Sequence, residues 1–267
     1  MVDITYHGTP PPTDRLIKTN GQSASPDWDV PEETPVAFVY NQRNYAVMLA
    51  TPADLSDFAV GFSLTERVID HVDEISTIDV HQEERGVDLR CKIRPDRLDR
   101  LDVRQQRRNM VGRAGCGVCG LENAEIFFES LSPVADRRFS LSQAALTKAH
   151  ADFDAHQPLS ARTRTVHGAA WVSTDGEIKL VREDVGRHNA LDKLIGALAA
   201  SGTDFGAGFV MISSRCSYEI IEKSARVGIK AVAALSGPTA FALKKATEAN
   251  MALYCRSDDE FVAAVSD

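Results

Sequence analysis

The second half of this chain alternates strand and helix patterns so regularly that it can only fold as a layered α/β unit. Phe209–Ile212, Lys230–Leu235 and Met251–Cys255 are short apolar runs of strand length. Helical patterns lie between them, one from about Ser217 and one over Thr239–Asn250. Upstream, Val166–Val172 and Ile178–Arg182 flank Asp175-Gly176, the turn of a hairpin. A helix over Arg187–Ala200 then sets Leu191, Leu194, Ile195 and Leu198 on one face, and Gly202 closes it. Strands and helices in this order stack as layers around a common core.

The first half predicts a smaller α+β unit. Val36, Phe38 and Tyr40 alternate, Asn41–Asn44 supplies a turn, and Tyr45, Val47 and Leu49 alternate back. Thr51-Pro52-Ala53-Asp54 carries the marks of a helix start, with Thr51 as N-cap and Pro52 at the first helical position. Leu55, Phe58, Ala59 and Phe62 follow at helical spacing, and Ile75–Gln82 and Val87–Ile93 are strand-like. Residues 1–30, rich in Pro, Asp, Ser and Thr, predict a flexible N-terminal segment. The expected division is thus 1–30, a small α+β domain over 31–111, and an α/β domain over 112–267 that carries a cysteine loop.

Bulk properties narrow the classes. A net charge of -8 over 267 residues argues against a nucleic-acid partner. No apolar run approaches the ~20 residues that span a bilayer, so no membrane association is expected. Met1–Pro12 lacks the basic and apolar regions of a signal peptide. Five cysteines with one close pair fit a reducing, cytoplasmic setting better than a disulfide-stapled fold. One stretch runs against the acidic balance: Arg94, Arg97, Arg100, Arg104, Arg107, Arg108 and Arg113 form either a solvated helix face or a positive rim beside the cysteine loop.

That loop, Gly112 to Gly120, sets four glycines around Cys116 and Cys119. Glycine permits positive φ and close backbone approach, so the two thiols should be accessible. A structural zinc would need two further ligands at matching spacing, but Cys91, Cys216 and Cys255 stand alone, and no metal is expected. A zinc deaminase would need H-x-E ahead of its cysteines; His167-Gly168-Ala169 lacks the glutamate and follows them. Redox exchange and sulfur carriage both remain, since each needs an exposed thiolate and spacing does not separate them.

Two polar clusters stand out downstream. Glu183-Asp184-Val185-Gly186-Arg187-His188-Asn189 opens a helix, with His188 and Asp192, and Asn189 and Lys193, on shared faces. It serves either as a capping cluster or as a functional one. Ser213 to Glu219 joins an apolar strand to a helix with hydroxyls and an arginine, which is either a Ser N-cap with an incidental arginine or a site suited to a phosphate. Ser236-Gly237-Pro238-Thr239 repeats that design and would lie beside it if the two strands are neighbours.

The string from Glu183 to Asn189 continuing through Ala190, Asp192 and Lys193, the Cys116–Gly120 loop, and Ser214-Arg215 with Glu219, Lys223 and Gly228 resemble the formate dehydrogenase accessory sulfurtransferase family, FdhD. Met48, Thr51-Pro52, Gly61-Phe62 and Glu66 add to the resemblance, which covers roughly residues 31–256. It implies a cytoplasmic homodimer whose subunit has a cytidine-deaminase-like layered domain with a smaller α+β domain. It implies sulfur taken as a persulfide from a cysteine desulfurase and delivered to molybdenum bis(molybdopterin guanine dinucleotide), a bound substrate that formate dehydrogenase needs. No permanently bound cofactor is expected. Cys116 maps to the persulfide carrier, and Tyr254, Cys255, Arg256, Ser257, Asp258 and Asp259 map to a segment that binds the guanine dinucleotide; Cys119 would assist Cys116, by lowering its thiolate pKa or resolving the persulfide. Arg187, His188, Asn189, Ser214 and Arg215 would line the same pocket. This chain departs from the family pattern at Ala114-Gly115, at Thr163–His167 and at Asp258-Asp259, where two carboxylates replace a basic character. The other classes weighed are a cofactor-binding chaperone without sulfur transfer and a thiol-disulfide oxidoreductase.

Overall fold

The computed structural model describes residues 2–17, 28–98, 101, 130–135 and 139–264. Alternating apolar residues build a first sheet from β1 (Asp3–Gly8), β4 (Thr34–Tyr40), β5 (Arg43–Ala50), β6 (Ile75–Glu83) and β7 (Gly86–Ile93), in the order β1-β6-β7-β4-β5. The expected β4–β5 hairpin turns at Asn41 and Gln42, both in the left-handed region. Val36, Phe38 and Tyr40 point to one face, and helix α1 (Leu55–Thr65) covers it. The Phe38 and Phe62 rings stack there at 3.9 Å.

Two expectations fail in this half. The described part of residues 1–30 is not a flexible lead-in: β1 pairs in parallel with β6, and β2 (Asp14–Ile17) forms a ribbon with β3 (Trp28–Pro31). All six β1 residues are exposed, so the alternation of Ile4 and Tyr6 has no buried face to pack. Thr51 does not cap α1 either. Asp54 holds the N-cap position in a left-handed conformation without a side-chain cap.

The second sheet contains β8 (His167–Ser173), β9 (Ile178–Asp184), β10 (Gly208–Ile212), β11 (Ala231–Ala234), β12 (Ala252–Ser257) and β13 (Glu260–Ala263), in the order β13-β12-β11-β10-β8-β9. Its side chains alternate between two apolar clusters. Val210, Ile212, Val232, Ala234, Leu253 and Cys255 join the core that includes α1. Phe209, Met211, Ala231, Ala233 and Ala252 face the other way, against Leu146, Ala149 and Phe153 of α2 (Gln143–Phe153). A short helix α3 (Pro158–Thr163) follows α2, and α4 (Arg187–Ala200), α5 (Tyr218–Arg226) and α6 (Ala240–Glu248) complete the described helices.

Helices α1 and α4 cross with their backbones in contact. A Cβ on Gly61 would stand 1.7 Å from the Asp192 carbonyl oxygen, and one on Gly196 would stand 1.8 Å from that of Asp57. Only glycine fits at either position. Since α1 lies on the first sheet and α4 packs on β8 and β9 of the second, the crossing joins both sheets in one continuous core. The expected boundary at 111/112 lies outside the described residues; the first sheet ends at Ile93 and the second begins at His167.

Candidate functional site

Strand direction gathers the site at one edge of the six-stranded sheet. β10, β11 and β12 run parallel, so Ile212, Ala234 and Ser257 end on the same side. The antiparallel β8–β9 pair brings His167 and Asp184 to that edge opposite one another. Helices α4, α5 and α6 start there. The two turn motifs are neighbours, as their strands are: Cys216 and Pro238 form an isolated bridge, and the Thr239 amide donates to the Cys216 carbonyl at 3.0 Å.

The Glu183–Lys193 string divides between scaffold and site. Asp184 and Lys193 are fully buried and meet at 2.7 Å. Asp184 Oδ2 also accepts from the Thr51 amide at 2.9 Å, and Oδ1 accepts from the Gly186 amide at 2.8 Å and Asn189 Nδ2 at 2.9 Å. Lys193 donates to the Thr51 carbonyl at 2.8 Å, and the Thr51 hydroxyl accepts from the Val185 amide at 3.1 Å. Asn189 Nδ2 donates further to the Leu49 carbonyl at 2.8 Å. Its amide protons are therefore committed to holding the β5–α1 connection against α4, and the expectation of Asn189 as a cofactor ligand loses its donor. Glu183 accepts from the Leu159 and Ser160 amides at the start of α3, and burial raises its carboxyl above the ordinary value.

The remaining residues of the string face α5. His188 Nε2 lies 2.7 Å from Glu219 Oε2 and 3.3 Å from the Ser217 hydroxyl. One turn further on, Lys223 meets Asp192 at 2.8 Å, and Thr65 donates to Asp192 Oδ1 at 2.7 Å. Burial would raise the Glu219 carboxyl, but His188, Lys223 and Arg187 together bring it below the ordinary range. At Asp192 burial wins over Lys223, and the carboxyl is raised. His167 is lowered by burial and by the charges of Arg187 and His188. Arg187 Nε is buried without a hydrogen-bond partner, and Arg215 is exposed. Ser213 accepts from the Gly168 amide at 2.9 Å, and Ser214 donates to the Arg215 carbonyl at 3.0 Å. The edge thus presents two arginines and two imidazoles to a ligand, a surface suited to an anion.

The expected C-terminal segment is only partly at this edge. Tyr254–Ser257 is the end of β12, and Asp258, with φ 52°, turns the chain into β13. The Tyr254 hydroxyl accepts from the Leu141 amide at 2.9 Å, and Cys255 is buried in the core with its thiol pushed up to about 11. Both side chains therefore serve packing, while Ser257, Asp258 and Asp259 stay exposed. Arg256 lies 3.8 Å from Asp259, and its Nε is buried without a partner.

Cys116 and Cys119 lie outside the described residues. Burial pushes the Cys91 thiol up to about 12 and raises Cys216 as well. Among the described residues no His, Cys, Asp and Glu group could hold a metal, and no helix is long and apolar enough to cross a membrane. Of the basic stretch, Arg94 pairs with Asp96 at 3.0 Å and Arg97 with Asp70 at 2.9 Å and with Glu74, so these two belong to a surface network. Sequence reasoning did not place His167 in the site; its register opposite Asp184 is the signal, and it appears only once the β8–β9 hairpin is aligned.

Residues 31–263 match the model of the FdhD/NarQ family. The sulfur carrier protein FdhD of Xanthomonas euvesicatoria pv. vesicatoria (strain 85-10) is 47% identical over 233 residues, which cover 87% of this chain and 82% of that protein. The corresponding protein of Cupriavidus necator is 45% identical over 230 residues, 86% of this chain and 78% of the relative. A crystal structure from Desulfotalea psychrophila, described as a formate dehydrogenase accessory protein, superposes with a TM-score of 0.70 at 22% identity over 95% of each chain. At that identity it supports the fold.

Proposed function

Because this chain belongs to the FdhD/NarQ family, we propose that it is a sulfur carrier in the maturation of formate dehydrogenase. In this reading Cys116 accepts sulfane sulfur from the persulfide of a cysteine desulfurase, which returns to its thiol form, and Cys119 assists. The sulfur then passes to molybdenum bis(molybdopterin guanine dinucleotide), held as substrate at the edge where α4, α5 and α6 begin. The protein works as a cytoplasmic homodimer, and the six-stranded half with helices on both faces is read as cytidine-deaminase-like.

The observation that carries the reading is the collection of Arg187, His188 and His167 beside one another at the edge where the parallel strands end, the edge from which Arg215 also follows β10. Such an edge is where open α/β sheets bind ligands. Arg187 Nε, buried and unpaired, is a donor that an anionic cargo would satisfy. The cysteines support it by elimination, since Cys91, Cys216 and Cys255 are buried and hard to ionise. A persulfide needs an accessible thiolate, which leaves the Cys116–Cys119 pair.

Persulfide labelling after incubation with a desulfurase and cysteine tests the carrier step. Labelling is expected in the wild type and absent in Cys116→Ala; equal labelling of both sinks it. Guanine-nucleotide binding tests the pocket, and Arg215→Ala is expected to weaken it about tenfold, the worth of a charge-assisted contact.

A further inference from the structure

We propose that a proton on His188 decides whether this edge accepts an anionic cargo, and that Glu219 is the positioning residue that makes it decisive. The inference rests on the cargo pocket proposed above. Helices α4 and α5 face each other through two rungs, His188–Glu219 at 2.7 Å and Asp192–Lys223 at 2.8 Å. The inner rung pairs a carboxylate with a permanent cation. The outer rung, at the mouth of the site, pairs one with an imidazole, the side chain whose charge changes near neutral pH.

Glu219 is about four-fifths buried, its side chain 21% exposed, and stays ionised because His188, Lys223 and Arg187 outweigh its desolvation. Its negative charge therefore sits beside Arg187 as well as His188. When His188 is protonated, the rung is neutral and the arginines dominate what a phosphate meets. When His188 is neutral, the carboxylate has lost the charge of its partner at 2.7 Å and opposes the cargo. The groups facing His188 are Arg187 and Asp192 on its own helix, Ser217, Glu219 and Lys223 on α5, and His167 on β8 with Asp184 opposite it. His167 is held toward its neutral form by burial and its cationic neighbours. Linkage is reciprocal, so cargo binding draws a proton onto His188.

GDP-mannose is a suitable probe for the full-length protein, because its doubly esterified pyrophosphate keeps a constant charge as pH changes. Affinity measured by calorimetry is expected to fall as pH rises from about 6 to about 8, as an imidazole gives up its proton. One linked proton limits the fall to about tenfold per pH unit. His188→Asn should flatten that slope. Glu219→Gln keeps the shape of the rung but removes the charge, so it should bind more tightly than wild type at about pH 8. If His188 acted merely as a cationic ligand, Glu219→Gln would bind no better there, and the proposal would be overturned. A wild-type slope retained in His188→Asn overturns it as well, leaving the cargo pocket standing. Failure of the wild type to bind GDP-mannose at any pH overturns the pocket and this inference together.

Discussion

Lys193 shows what a buried cation does in this protein. Its ammonium holds Asp184 and the Thr51 carbonyl, with no exposed surface on either charged side chain. Replacing one member of such a pair leaves the other charge uncompensated, at about 3–5 kcal/mol. Lys193→Met is therefore expected to lose that much stability in urea unfolding, whereas Asn189→Ala, which removes neutral donors, should lose about 1–2 kcal/mol. The cysteines allow a second check. With Cys91 raised to about 12, Cys255 to about 11 and Cys216 raised too, none supplies thiolate near neutral pH. Iodoacetamide at about pH 8, below the ordinary thiol value of ~8.5, should leave all three unmodified in the folded protein. Mass spectrometry that found Cys255 alkylated before unfolding would contradict its place in the core.

Among the elements, the α1–α4 crossing depends on two absent methyl groups. A Cβ at Gly61 or Gly196 would lie within bonding distance of a backbone oxygen, so the helices must separate to admit it. Gly61→Ala and Gly196→Ala should each cost about 1–3 kcal/mol or more. Because both relieve the same contact, the double variant should cost less than the sum. Urea midpoints of the three variants measure this. Most elements were legible in the sequence, since β4 to β12 carry apolar alternation or runs bounded by turns. β1 was masked: Val2, Ile4 and Tyr6 alternate, but in a segment rich in Pro and polar residues, and the strand's place comes from backbone pairing with β6. α2 had a readable signal in the Ser142 cap and the spacing of Leu146, Ala149 and Phe153. Thr51 misled because its hydroxyl and amide serve Val185 and Asp184, more than 130 residues away, and no local pattern encodes that. The site was legible as a list but not as a division of labour: Asn189 looks like a ligand until its amide is seen bonded to Leu49 and Asp184.

At the scale of the whole molecule, two sheets with separate sequence signatures share one core through α1 and α4. A chain so joined should unfold as one unit. A single calorimetric transition is expected, coincident with loss of the environment of Trp171, which is buried in that shared core. Two resolved transitions would show that the sheets melt independently. The Asp184 node has a consequence for how distant relatives are recognised. Asp184, Asn189 and Lys193 are the girders of the string, and Arg187 and His188 are its tools. A sequence that keeps the girders and changes the tools preserves the architecture while altering what it carries, so matching the string as a whole identifies the building before it identifies the trade practised inside.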